Sequence, residues 1–350
     1  MTARTQRRGL TVKAAAFIAA AGLTATLAAC SSSAANSKPL VGLITKTDDN
    51  PYYVKMREGA EKKAAELGFE LQSLSGQGQS DNDSQVKAIE NLVARGAKGI
   101  MIAPSDSEAI LPAIKKARDA GVFVAVLDSP TNPTDAADAT FATDNFQAGV
   151  LIGQWAKAQF ANKPAKIAML DLSPAQVAVD VQRNQGFLQG FGVDLADKKK
   201  IGDEKDPRIV GHEVTNANEA GGRAAMEKLL QRDRTINLVY TINEPAAAGA
   251  YSSIKAAGLD GQVKVVSIDG GCPGVNDVKA GAIGATSMQF PIKMATDALQ
   301  AINAYLKDGT KPTTTEGLDF TNTGVTLITD QAAPGVTSEP TSWGLENCWG

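Results

Sequence analysis

Short apolar runs alternate with stretches of helical period from residue 40 onward. Residues 40–44 form the first run, and 51–67 place Tyr53, Met56, Ala60, Ala64 and Leu67 on one helical face behind Pro51, which suits a first turn. Further strands are predicted over 69–74, 99–103 and 122–127, with helices over 83–94 and 107–120 between them. Gly68, Gly96 and Gly121 fall just past the helices, where a left-handed residue ends a helix. After a strand at 139–142 the pattern starts again. It gives helices over 146–160, 179–190, 218–232 and 245–257, and strands over 167–170, 212–214, 238–242 and 263–268. A long helix over 291–306 and a strand over 324–329 follow, and the Gly- and Pro-rich tail from 332 reads as irregular. Strands that are apolar throughout and joined by helices predict parallel sheets covered on both faces. Two such units predict an α/β fold of two doubly wound lobes.

In open sheets of this kind ligands bind beyond the carboxyl ends of the strands. Here those ends carry Lys46 to Asn50, Ser105-Asp106, Asp128-Ser129, Asn243-Glu244 and Asp269-Gly270. Asp and Asn also cap helices and make turns, so each alone is ambiguous. Their recurrence at one topological place in both halves points to a crevice.

Composition narrows the chemistry. Of 350 residues 43% are apolar and 21% charged, which excludes a disordered, collagen-like or polytopic membrane chain. Thirty-five basic against 38 acidic residues give −3, which argues against a nucleic-acid-binding surface. The single histidine, His212, precedes Glu213 in a strand-like run and reads as structural; it supplies neither a His-based triad nor a multi-His metal site. No Gly-rich dinucleotide fingerprint follows the first strand, and no P-loop lysine, nucleophile-elbow serine or H-E-x-x-H occurs. Asp81, Asn82 and Asp83 lack the rest of a calcium loop and read as a loop and a helix cap. The chain is expected to act without cofactor, metal or catalysis.

The first 29 residues read as an export leader. Arg4, Arg7, Arg8 and Lys13 precede a small-residue apolar segment at 14–29 that is short for a bilayer span. It ends in Leu27-Ala28-Ala29-Cys30, which resembles a bacterial lipobox, so Cys30 is the expected lipid-bearing N-terminus and 30–38 a Ser-rich tether; the alternatives are an ordinary secretory signal with a chance Cys and an uncleaved anchor. Four basic residues and no acid leave with the leader, so the mature chain stands at −7. Cys272 and Cys348 then remain as an even pair in an oxidising compartment, expected to form a disulfide, the alternative being two buried thiols.

A series of motifs runs in order along the chain: Thr45-Lys46-Thr47-Asp48 with Asn50-Pro51-Tyr52-Tyr53, then Pro104-Ser105-Asp106, then Thr143-Asp144-Asn145. It continues in Asn243-Glu244-Pro245-Ala246, in Asp269-Gly270-Gly271-Cys272-Pro273-Gly274, and in the closing Cys348-Trp349-Gly350. With these motifs the chain resembles, over essentially 40–350, the ribose-type periplasmic sugar-binding proteins of ABC transporters, and is most similar to their fructose-binding subgroup. The resemblance implies a type I periplasmic binding protein, two lobes joined by three crossover segments and closing on a sugar. The first lobe is expected over 39–144 plus 290–320, the second over 145–289 plus 321–331, with a tail at 332–350 disulfide-linked to the second.

The resemblance also implies the binding residues. Asn50 donates and accepts hydrogen bonds, Asn243 with Gln289 completes the second-lobe and hinge contacts, and Tyr52 and Tyr53 offer ring faces to the C–H side of the sugar. Asp128 and Asp269 accept hydroxyls, Arg183 donates to ring or hydroxyl oxygens, and Lys46 occupies a contact position. Adjacent Tyr rings cannot both face one core, so one of Tyr52 and Tyr53 is expected to point outward. Two departures stand out: ribose-binding relatives carry Arg after the Asp of the fourth strand and Asn before the Pro of the third, where this chain has Ser129 and Ala103.

These expectations describe a monomeric exported lipoprotein that captures a monosaccharide or small polyol, a fructose-like ketose favoured, for an ABC permease and its ATPase. A second reading is a sugar sensor that signals to a membrane kinase or chemoreceptor. A repressor of the lactose type would need a helix-turn-helix where the leader stands. A sugar-modifying enzyme would need an acid/base pair, for which Asp128 and Asp269 are the candidates.

Overall fold

The computed structural model of the chain describes residues 38–350; the leader, Cys30 and the tether to residue 37 lie outside the described residues. The first half alternates β1 (Leu40–Thr45), α1 (Pro51–Leu67), β2 (Glu70–Ser75), α2 (Asn82–Ala94), β3 (Gly99–Ile102), α3 (Leu111–Asp119), β4 (Phe123–Leu127) and β5 (Ala139–Ala142). The alternation then repeats in α4 (Asn145–Gln159), β6 (Ile167–Asp171), α5 (Ala178–Phe191), β7 (Ile209–Val214), α6 (Glu219–Arg232) and β8 (Leu238–Thr241). It goes on through α7 (Glu244–Ala256), β9 (Lys264–Asp269), α8 (Cys272–Ala280) and β10 (Ala285–Met288). Then come α9 (Pro291–Asp308), β11 (Thr321–Asn322), β12 (Thr326–Ile328) and α10 (Thr341–Asn347).

The strands form two sheets, in the orders β11-β5-β4-β3-β1-β2 and β12-β10-β9-β8-β6-β7. All neighbours pair in parallel except β10 with β12. Each sheet reverses its direction of growth once, at β1/β3 and at β6/β8, and that is where a doubly wound sheet opens a crevice. The first sheet is covered by α1 and α9 on one face and by α2 and α3 on the other, burying Met56, Leu299 and Phe123 against one side and Ile89, Leu92 and Ile114 against the other. The second is covered by α4 and α5 on one face and by α6 and α7 on the other. The α4–α5 contact is backbone against backbone: a Cβ at Gly186 would lie 2.1 Å from the carbonyl oxygen of Phe146, so only glycine fits there. That close crossing sets the position of α5, which carries Arg183.

The chain passes between the lobes three times, from β5 to α4, from β10 to α9 and from β11 to β12. Thr321–Asn322 pair with Phe141–Ala142, so the first sheet extends past 320, where the resemblance placed the boundary. The tail is not wholly irregular: it contains α10, and Thr341 of that helix bonds Asp330 through its backbone and its hydroxyl at 2.8 and 2.7 Å. Cys272 and Cys348 are joined in a disulfide. Among the described residues no helix is long and apolar enough to cross a membrane, and no group of three or more His, Cys, Asp or Glu is placed to hold a metal ion.

Candidate ligand-binding site

The crevices of the two sheets face one another, and all nine residues singled out above line one cavity there: Lys46, Asn50, Tyr52, Tyr53, Asp128, Arg183, Asn243, Asp269 and Gln289. Gln79, Leu172, Val179, Ala217 and Ile242 complete the wall. The cavity measures about 360 Å³ with its opening included, and only about 30 Å³ of that admits the centre of a water molecule. This is the small end of the range for solute sites.

Each lobe brings its own cation and carboxylate. In the first, Lys46 follows β1 and Asp128 follows β4; the Lys46 Nζ donates to the Ser129 hydroxyl at 2.7 Å and lies 3.7 Å from Asp128 Oδ2. Ser129 passes the link on, donating to Asp128 Oδ2 at 3.1 Å, and the Tyr53 hydroxyl reaches the same oxygen at 3.5 Å. Burial pulls the Lys46 ammonium below its ordinary pKa, against the attraction of Asp128. In the second lobe Arg183 Nη1 stands 3.5 Å from Asp269 Oδ1, which also accepts from Gln289 Nε2 at 2.8 Å. Arg183 is aimed by two further bonds, Nε to Asn145 Oδ1 at 2.8 Å and Nη1 to the Ile242 carbonyl at 2.9 Å. Its Nη2 takes no part in these bonds. Burial raises the Asp269 pKa, partly offset by Arg183.

The strand ends are held in unusual backbone. Asp128 has φ 62° and Asp269 φ 152°, conformations that L-residues adopt at a cost and that cluster at binding sites. Glu244 supplies part of the support at Asp269. Its buried carboxylate accepts from the N–H of Gly270 at 2.8 Å, the N–H of Gly271 at 2.9 Å and the Thr286 hydroxyl at 2.7 Å. It thereby ties the turn after β9 to both α7 and β10.

One expectation about side chains changes. Neither Tyr52 nor Tyr53 points outward; both are 4% exposed, with rings at 78° to each other. The reason lies in the tail: Trp349 packs edge-on against Tyr52 at 5.5 Å and gives it a second wall, while the Tyr52 hydroxyl turns to Gln289 at 3.4 Å and Tyr53 to Asp128. Asn50 caps α1, its Oδ1 accepting from the Tyr52 N–H, while the residue lines the cavity. Asn243 caps α7, its Oδ1 accepting from the Ala246 N–H, and donates one amide N–H to the Ala217 carbonyl, so the same bonds that shape the wall fix its amide at the cavity. His212 is pinned between Asp171 and Glu204 at 2.7 Å each; burial opposes its charge, but the two carboxylates outweigh that and push its pKa up to about 10.

Sequence reasoning missed Gln79, which sits in a loop without periodicity, and Ala217, whose φ of 54° has no signature in an alanine. Leu172 and Ile242 could have been found, since each follows the end of a central strand of the second sheet, as Asp128 follows β4.

The family model for the periplasmic binding protein domain matches residues 41–311, 271 of the 350 residues, and reaches across both lobes. The chain belongs to this periplasmic binding protein family. It is 28% identical over 295 residues to the ribose import binding protein of Salmonella typhimurium, covering 84% of this chain and 93% of that one. Among solved structures it is similar to a galactofuranose binding protein, with a TM-score of 0.74, 26% identity, and coverage of 88% and 97%. It is also similar to the Caulobacter myo-inositol binding protein bound to myo-inositol, with a TM-score of 0.73, 25% identity, and coverage of 84% and 94%. Members of the periplasmic binding protein family hold solutes without transforming them, and this chain is a binding protein rather than an enzyme.

Proposed function

We propose that this chain is an exported receptor that closes on one neutral monosaccharide or small polyol and delivers it to an ABC transporter permease. The charge pattern of the cavity carries this reading. Each lobe neutralises its own cation, Lys46 with Asp128 and Arg183 with Asp269, so the site presents directed donors and acceptors without net charge for an ionic ligand. Asp128 Oδ1 and Asp269 Oδ2 are outside the bonds described above and stand as acceptors for hydroxyls, while Tyr52 and Tyr53 border the same space. A buried polyol needs a partner for every hydroxyl, and ionised partners make the stronger bonds. The names of the similar proteins, which include ribose, galactofuranose and myo-inositol binders, support the same ligand class.

The favoured ligand is a fructose-like ketohexose or a small polyol rather than ribose. Where ribose-binding relatives carry Arg, the Ser129 hydroxyl is spent between Lys46 and Asp128. Where they carry Asn, Ala103 is fully buried and offers no side-chain polar atom. A ribose that relies on both donors would keep unpaired hydroxyls here. Thermal-shift measurements with D-fructose, D-ribose, D-allose and myo-inositol test both levels. A cognate solute at 100 times its Kd adds about 2.7 kcal/mol of stability. A shift with none of these or other neutral sugars overturns the reading, and a larger shift with ribose than with fructose or myo-inositol overturns the preference. Cys30 is proposed as the lipid attachment point; Cys30→Ser should move the protein from the membrane to the soluble exported fraction, and retention on the membrane would refute it.

A further inference from the structure

Among the described residues, one hydrogen bond joins the lobes at a place remote in sequence from all three crossings. The backbone N–H of Ala178, the first residue of α5, donates to the hydroxyl of Ser107 in the first lobe at 3.2 Å. The other bonds between the lobes, such as Asn145 to the Asp128 carbonyl and Tyr52 to Gln289, involve residues at or next to a crossing.

The N-terminus of α5 needs this partner. An α-helix leaves its first N–H groups without acceptors inside the helix, and a side chain at the preceding residue ordinarily supplies one. Here that residue is Val177, which has no polar side chain. Asp180 in the first turn does not substitute, because its carboxylate is turned back to the N–H groups of Leu172 and Ser173 at 3.0 and 3.3 Å. The N–H groups of Asp180 and Val181 already bond the Val177 carbonyl. Ser107 is itself fixed, 8% exposed and accepting at its own carbonyl from the Asn132 N–H at 2.9 Å. The capped turn borders the cavity through Val179, and the same helix carries Arg183.

We propose that Ser107 is a positioning residue for closure: its hydroxyl caps, across the cleft, the helix that brings Arg183 to the ligand. The cap is complete only when the lobes meet. Opening exchanges it for water and leaves α5 without a side-chain cap, so the contact favours the closed state before any sugar adds its own bonds. The inference rests on the solute-binding reading only for its effect on affinity, and the decisive measurement needs no sugar.

Single-molecule FRET between dyes on azido side chains introduced at exposed Lys115 of α3 and Lys228 of α6 reports the closed fraction of the sugar-free mature protein. The wild type is expected to show a closed population. Ser107→Ala should lower the closed-to-open ratio about five-fold, the usual scale of a lost helix cap. Ala178→Pro removes the donor instead and leaves the helix intact, since proline suits the first helical position and Val177 already has the extended backbone (φ −60°, ψ 156°) required before proline. It should match Ser107→Ala, and the double variant should lose no more than either alone. Ser107→Thr, which keeps the hydroxyl, should restore most of the closed population. A wild type that is open throughout, single variants that leave the ratio unchanged, or a double variant whose losses add, would overturn the proposal.

Discussion

Asp269→Ala is expected to weaken binding of the cognate solute at least about 30-fold, a loss of about 2 kcal/mol, with the circular dichroism spectrum unchanged. Three losses combine. The ligand loses the free carboxylate oxygen, Arg183 loses its neighbour at 3.5 Å, and Gln289 Nε2 loses its acceptor at 2.8 Å. Arg183 stays charged and 4% exposed, and a buried cation left short of its anion is costly. Its bonds to Asn145 and to the Ile242 carbonyl remain and hold it in place, so the fold should persist. The turn after β9 is also retained, because Glu244 grips it through Gly270 and Gly271 and not through Asp269. Asp269→Asn separates the contributions: it keeps an acceptor for Gln289 while removing the charge, and should fall between wild type and Asp269→Ala. Calorimetry with the solute that gives the largest thermal shift makes the comparison. Near-native affinity in Asp269→Ala would mean that the strand-end carboxylates serve the backbone alone and that the solute binds elsewhere.

The cavity was legible in the sequence because its geometry is inherited from local pattern. A parallel strand must end where the chain turns into a helix, and a doubly wound sheet gathers those ends at one edge. Lys46, Asp128, Asn243 and Asp269 could therefore be assigned a shared place before any contact was known. What stayed hidden depends on partners far along the chain. β10 has no apolar run to betray it: Thr286 and Ser287 are fully buried, and their hydroxyls are satisfied by Glu244 and by the Ala148 carbonyl, 42 and 139 residues away. β11 is two residues long and owes its existence to β5, so no periodicity could set the lobe boundary there. That Asn243 would cap α7 was open to sequence, but its bond to the Ala217 carbonyl, 26 residues away, is revealed only by the folded loop. The role of Trp349 was equally invisible, since nothing in an irregular tail announces which distant ring it will cover.

Cys348→Ser is expected to destabilise the protein by about 2–4 kcal/mol and also to weaken solute binding, because the disulfide holds a wall of the site. Cys272 and Cys348 are 76 residues apart, and closing a loop of that length contributes roughly 4 kcal/mol in the chain-entropy model. The upstream tail has its own anchors, in the bonds from Thr341 to Asp330 and the pairing of Ile328 with Glu339. Apart from the disulfide, the last residues hold to the second lobe through the Cys272 N–H to Trp349 carbonyl bond and the indole, so breaking the disulfide loosens chiefly them. Those residues include Trp349, whose indole N–H donates to the Gln289 carbonyl at 2.8 Å and whose ring backs Tyr52. With Trp349 loose, Tyr52 and Gln289 lose the surface that fixes them against the cavity. Cys272→Ser should match Cys348→Ser in urea denaturation, since either substitution breaks the same bond. Trp349→Ala tells the two effects apart, because it keeps the disulfide and removes only the wall; it should lower affinity as much as Cys348→Ser does. If Cys348→Ser loses stability but keeps wild-type affinity, Trp349 stays docked by its own packing, and the disulfide serves the fold without serving the site.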